Sequence, residues 1–194
     1  MNKYIAILIL SLASLMVKAQ DETLIIVNYL PAISLGETAD FANDFSPRGV
    51  DFEVNKFIAA DMSVGFVVSW NIFREKIVGE SFEYDDMLVT GTQFRYVNTV
   101  PLNVNFKKYY LGSESTPYIG VGLGTSYAKQ RNDIGVFTLS EEKWLFNVAP
   151  EIGLLYDISP NKILSLKMKY NYSPKAGDFP SVSYISFGIG VGIK

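Results

Sequence analysis

The groups in this chain best placed to do chemistry are five charged residues, Glu53, Arg95, Glu151, Lys167 and Lys169, set among small or uncharged neighbours on one parity of otherwise apolar stretches. Carboxylates and cationic groups in that setting suit ion pairing, because each would cost several kcal/mol if buried alone. They do not make a catalytic set. The chain has no histidine and no cysteine, which removes imidazole general-base chemistry, thiolate nucleophiles and transition-metal sites built on nitrogen and sulfur. An enzyme would have to run on paired carboxylates or a lysine base, and nothing in the spacing recommends either. No cofactor is implied. A second group, Glu75, Glu80, Glu83, Asp85 and Asp86, offers oxygen ligands for a divalent cation. It lacks the regular spacing of a calcium loop and reads as a solvated surface run.

The elements that must carry these residues share a strict two-residue alternation, clearest in Ile185-Ser186-Phe187-Gly188-Ile189-Gly190-Val191-Gly192-Ile193. A pleated strand points successive side chains to opposite faces, so one face of this segment is continuously apolar and the other nearly bare. The same parity recurs in eight candidate strands, near 23–35, 50–58, 62–72, 94–107, 119–124, 144–157, 164–173 and 185–193. The first is the least regular. Pro101 and Pro150 fall inside two of them, where a missing N–H predicts a bulge or an unpaired group opposite.

Connections alternate in length. Those at 59–61, 111–115 and 159–161 are tight or moderate, whereas 36–46, 77–89, 132–141 and 174–180 are longer and rich in Gly, Asp, Glu, Asn and Pro. Short turns on one rim and longer loops on the other predict an up-and-down antiparallel barrel of the outer-membrane type. With a tight turn at 159–161, Glu151 falls opposite Lys167 or Lys169.

A soluble eight-stranded barrel would show the same period with its apolar face turned inward, and two details separate the readings. Aromatics gather at the ends of the apolar stripes: Trp70, Phe94, Tyr96, Phe106, Trp144, Tyr156, Tyr170 and Tyr172. Phe94 to Phe106 and Trp144 to Tyr156 are each 12 residues apart, or ~30 Å after projection from a strand tilted ~40°, which matches a lipid-facing band with two girdles. The second detail is the other face, which is too rich in Gly, Ser and Asn for a water-exposed exterior. It fits a cramped interior, where glycines leave room for longer side chains.

The chain's start predicts export. Lys3 precedes an apolar run from Ile5 to Val17, and Val17-Lys18-Ala19 closes it with a small residue, which places cleavage between Ala19 and Gln20. About 13 apolar residues are too few to cross ~30 Å of hydrocarbon as a helix. Removal of 1–19 takes away Lys3 and Lys18 and no acid, leaving 15 basic against 20 acidic groups and a net charge near −5, which argues against a nucleic-acid partner. Residues 20–194 then form one domain.

On these residues the chain resembles the small outer-membrane β-barrel proteins, similar to the OmpA transmembrane domain and to OmpX- and OmpW-like barrels. Pro117-Tyr118-Ile119-Gly120-Val121-Gly122-Leu123-Gly124 is the most recognisable stretch. Ser186, Gly188, Val191 and Ile193 resemble the barrel-assembly signal, although the usual terminal aromatic is replaced by Ile193-Lys194. The resemblance implies an all-β, eight-stranded antiparallel up-and-down transmembrane β-barrel in the outer membrane, with lipid and the barrel-assembly machinery as partners. The phospholipase, palmitoyltransferase, deacylase and protease barrels of similar architecture rely on a histidine that this chain lacks.

The expected function is therefore non-enzymatic: a structural, envelope-maintenance or surface-interaction role, with the lumen filled by the polar set. Two alternatives stand beside it. One is a narrow porin-like or OmpW-like channel for small solutes, gated when the ion pairs exchange partners. The other is an adhesin or binding protein acting through the loops at 36–46, 77–89 and 132–141.

Overall fold

The structure, a computed structural model, describes residues 23–84, 87–110, 112, 115–134 and 137–194, with the backbone alone for 79–84, 87–91 and 137. The predicted signal segment 1–19 lies outside the described residues, as do Asp85 and Asp86. Alternating apolar and polar residues form β1 (Thr23–Tyr29), β2 (Ala32–Leu35), β3 (Gly49–Ala59), β4 (Met62–Tyr84), β5 (Met87–Tyr109), β6 (Ser115–Ile134), β7 (Phe137–Ser159), β8 (Lys162–Ser173) and β9 (Val182–Ile193), with one short helix, α1 (Gly36–Phe41). From β3 to β9 each strand pairs antiparallel with the next, β1 pairs with both β3 and β9, and β2 pairs with β9, closing a ring of eight strands.

The expected first strand, 23–35, is two. Pro31 has no N–H and interrupts the ladder, after which β2 continues along β9 in the same register: Tyr29 faces Ile189 and Ala32 faces Ser186. Pro101 and Pro150 act differently from a bulge. The β4–β5 ladder lapses between Val68–Leu102 and Asn71–Thr99, and the β7–β8 ladder between Val148–Tyr172 and Glu151–Lys169, yet both resume in unchanged register. Register shifts fall elsewhere, at Phe57/Ala59, Ile77/Glu80 and Asp157/Ser159.

Two of the expected long loops are strands. β4 and β5 stay paired to Tyr84–Met87, and β6 and β7 to Ile134–Phe137. Composition there looks like loop because polar residues break the apolar alternation of the sequence, but each strand finds a partner that satisfies its backbone. On the same rim β8 stops at Ser173 and β9 starts at Val182, so β4–β7 project beyond the ring as a four-stranded sheet. The tight turns and both ends of the barrel, Thr23 and Ile193, share the opposite rim.

The apolar parity points outward. Phe52, Phe66, Ile119, Ile152, Ile189 and Val191 are each roughly half exposed, while Asn55, Asn103, Ser165 and Ser186 on the opposite parity have no exposed surface. This inverts the soluble arrangement and suits a hydrocarbon surround.

Candidate functional site

The lumen is built in three layers. At the short-turn rim Leu24, Ile26, Tyr109, Tyr118, Leu155 and Ile163 form a buried apolar cluster against Phe57. The rings of Tyr109 and Tyr118 lie 5.6 Å apart, those of Phe57 and Tyr109 5.1 Å, and Ser63 Oγ hydrogen-bonds the Tyr109 hydroxyl at 2.9 Å. A vestibule of about 510 Å³ opens below them, with Asp157 and Lys194 on its edge.

The middle layer is charged and balanced, three carboxylates against three ammonium groups: Asp51, Glu53 and Glu151 with Lys107, Lys167 and Lys169, all buried. Lys107 Nζ donates to Glu53 Oε2 at 2.6 Å and lies 2.8 Å from Glu151 Oε1 without hydrogen-bond alignment. Lys167 bridges Asp51 and Glu53. Lys169 donates to Asp51 Oδ2 at 3.0 Å and to Ser69 Oγ at 2.9 Å. Amides extend the layer: Asn28 Nδ2 donates to Asp51 Oδ1 at 2.7 Å, Asn55 Nδ2 to Glu53 Oε2 at 3.2 Å, and Asn103 Nδ2 to Asn147 Oδ1 at 2.8 Å.

Glycines make the space. A Cβ on Gly188 would lie 2.6 Å from Lys167 Cγ, and one on Gly153 would enter the Tyr118 ring at 2.5 Å. The bare face of β9 is thus the floor along which the Lys167 stem runs to reach β3.

Of the five residues singled out from sequence, the structure gathers Glu53, Glu151, Lys167 and Lys169 in this layer and leaves Arg95 out. Arg95 shares the inward parity but sits nearer the long-hairpin rim, its guanidinium 5.5 Å from the Phe41 ring and its Nε without a partner. Glu151 does pair in register with Lys169, yet its ionic contact is to Lys107. Asp51 and Lys107 complete the set. Their inward parity was the available signal, and depth in the lumen, which parity does not encode, decided membership.

The third layer closes the long-hairpin rim. Ala32, Ala42, Phe73, Val97, Ala128, Leu145, Phe179, Val182 and Tyr184 form a buried apolar cluster, with Phe41 and Ala176 packed on it. Phe73 and Tyr184 meet at 5.2 Å, and Thr99 Oγ1 donates to the Tyr184 hydroxyl at 3.3 Å. Gly36, with φ 51°, turns the chain from β2 into α1. The helix is tied down by Ser183 N–H donating to Thr38 Oγ1 at 2.9 Å and Ser34 Oγ donating to the Ala42 carbonyl at 2.7 Å.

Glu37 holds the 174–181 loop over this lid by accepting from Ser181 N–H at 2.5 Å. Hydrogen bonding from the Ser181 side chain, then from its N–H, lowers the Glu37 carboxyl below the ordinary glutamate value. A carboxylate so lowered keeps its tether at neutral pH and loses it as pH falls through the lowered value. Amide hydrogen exchange at Ser181 is expected to show protection that disappears only in acid. In Glu37→Gln that protection is expected to be weak at every pH.

The aromatic set faces outward. Trp70, Phe106, Trp144, Tyr156, Tyr170 and Tyr172 are exposed, with Trp70 Nε1 donating to Asn98 Oδ1 at 2.8 Å and the Tyr170 and Tyr172 rings stacked 6.4 Å apart. Phe94 and Tyr96 are half-buried because cations cover them: Arg74 lies over both rings, Lys76 over Phe94 and Arg131 over Tyr96. In the acidic group Glu75 faces inward and accepts from Asn43 N–H at 3.2 Å.

No protein-family model and no curated protein sequence matches the chain. Solved structures do. The chain is similar to Ail, the attachment invasion locus protein of Yersinia pestis, with a TM-score of 0.55 and 14% identity over 88% of this chain and 96% of that one. It is similar to Neisserial surface protein A, with a TM-score of 0.54 and 15% identity over 89% and 95%. The outer membrane protease OmpT of Escherichia coli matches with a TM-score of 0.50 and 8% identity over 89% and 96%. At such identities the likeness is one of fold, and the chain has the transmembrane β-barrel fold of these outer-membrane proteins, here in eight antiparallel strands.

Proposed function

We propose that this chain is an outer-membrane protein, exported with loss of residues 1–19 and inserted by the barrel-assembly machinery, whose barrel is a sealed, non-enzymatic body with a structural, envelope-maintenance or surface-interaction role. The observation that carries the reading is the layered lumen. A charge-neutral polar belt lies between two packed apolar layers, and an eight-stranded barrel is only wide enough for its own side chains. The outward aromatics serve as anchors at the lipid interface. A protease shares the fold, so the fold does not decide activity; the missing histidine supports the non-enzymatic reading.

A gated channel would need both apolar layers to part as well as the ion pairs to exchange. Heat-modifiable migration from the outer-membrane fraction together with an electrically silent planar bilayer is the expected result. Steps of defined conductance from the purified barrel would overturn the sealed reading, and a freely soluble native protein would overturn the membrane reading. The β4–β7 sheet beyond the ring favours surface interaction over a purely mechanical part, because it carries paired strands well clear of the barrel wall. Ail is named for attachment and invasion. The test here is loss of a surface partner when 77–89 and 132–141 are shortened with the barrel intact.

A further inference from the structure

We propose that a cleft on the outer wall, between the segment entering β3 and the free edge of β4, binds the phosphate headgroup of an anionic lipid in the leaflet on the long-hairpin side. The cleft holds about 330 Å³, and Arg48, Arg74 and Lys76 line it with one acid, Asp44, and with Phe45 and Ile72. Among the described residues none of the three cations forms an ion pair. Two outward cations on the same half do, Lys129 with Glu142 at 3.2 Å and Arg131 with Asp133 at 2.8 Å.

Two of the cations are held in place. The Arg74 guanidinium lies 5.0 Å from the Phe94 centroid and 5.8 Å from that of Tyr96, and Lys76 Nζ lies 5.8 Å from Phe94. Stacking on a ring face leaves guanidinium N–H groups free to point away, in the planar fork that suits phosphate oxygens. The backbone adds a donor. Ile72 turns its N–H to Arg48 O at 3.2 Å and accepts at its carbonyl from Ser46 Oγ at 2.5 Å. Bonding groups alternate along an antiparallel strand, so Arg74 presents its N–H to the same side, where β3 has ended and no strand stands opposite.

The surroundings identify the source of the phosphate. Val50 and Trp70 are exposed on the wall beside the cleft and toward the membrane's middle, and Phe45 is exposed in the cleft itself, which gives an acyl chain an apolar bed directly below its headgroup. A free anion would have no use for that bed. The inference rests on the transmembrane reading, since only then does this rim lie at headgroup level.

The test uses the full mature chain in dodecyl maltoside, a phosphate-free detergent, titrated with dioctanoyl phosphatidic acid and followed by native mass spectrometry. Saturable one-to-one binding is expected. Each cation near an anionic surface contributes about a fivefold gain, so Arg74→Gln is expected to weaken binding about fivefold and the triple change Arg48→Gln, Arg74→Gln, Lys76→Gln on the order of a hundredfold. Lys129→Gln with Arg131→Gln is expected to leave it unchanged. Absent or non-saturable binding overturns the site, as does equal loss in the Lys129 and Arg131 variant, which would mean diffuse attraction. Competition by inorganic phosphate at the lipid's own concentration overturns the lipid as occupant. Heat-modifiable migration of every variant is read alongside, so that a failure of the barrel itself is seen separately from a failure of the cleft.

Discussion

Replacing Lys167 by Met is expected to destabilise the barrel by about 3–5 kcal/mol, the usual cost of removing one partner from a buried ion pair. Methionine keeps the length of the stem that runs over Gly188, so packing changes little and the loss is electrostatic. The wild-type layer sets Asp51, Glu53 and Glu151 against Lys107, Lys167 and Lys169. Without Lys167 it carries an uncompensated negative charge with no water to screen it. Adding Glu53→Gln restores the balance, because Lys169–Asp51 at 3.0 Å and Lys107–Glu151 at 2.8 Å remain as two complete pairs. The double variant is therefore expected to be more stable than either single one. Urea unfolding in phosphatidylcholine vesicles gives the three midpoints and the coupling between the sites. Equal or additive losses would show that the charges are screened and the lumen wet.

How much of this arrangement was legible in the sequence depends on the scale of the question. Side-chain parity has a period of two and is unaffected by what lies across the barrel, so Ile185, Phe187 and Ile189 could be turned outward and Gly188 and Gly190 inward from the residue string alone. Partnership across the lumen has no such local signal. Lys167 on β8 reaches Asp51 and Glu53 on β3, more than 110 positions away and three strands round the ring. Arg95 shares parity with the charged layer and stands apart because it sits at another depth. The length of β4 to β7 was hidden for a different reason. Where both faces of a sheet leave the barrel, alternation weakens, and acidic residues such as Glu80 and Glu83 resemble loop composition. The closing segment 36–42 shows a glycine, two acids and a single aromatic, Phe41, with no repeating period, and its place over Phe73 and Tyr184 depends on tertiary packing.

Gly190→Ala is expected to prevent closure of the barrel, and Gly122 on β6 provides the contrast that makes the result interpretable. Gly190 faces Asn28 in the β1–β9 seam. A Cβ there would lie 2.1 Å from Val27 O and 2.7 Å from Asn28 Cα, both backbone atoms of the partner strand, and 2.4 Å from Asn28 Oδ1. Backbone held in a ladder on both sides has nowhere to retreat, so the methyl must part the strands. Parting them also pulls Asn28 from Asp51 and opens the charged layer to its weakest point. A Cβ on Gly122, by contrast, would meet only side-chain atoms, Asn103 Cβ at 3.2 Å and Asn103 Nδ2 at 3.3 Å. Those atoms can give by a few tenths of an ångström, and the cost is expected to be about 1 kcal/mol, the low end for overpacking. Refolding into detergent micelles followed by heat-modifiable migration reads both outcomes directly. Gly122→Ala should fold with wild-type yield, and Gly190→Ala should give little or no folded species. If the two variants fold alike, inward glycines serve only as empty volume. If they differ as expected, the glycine in the last strand is what lets the first strand come close enough to complete the ring.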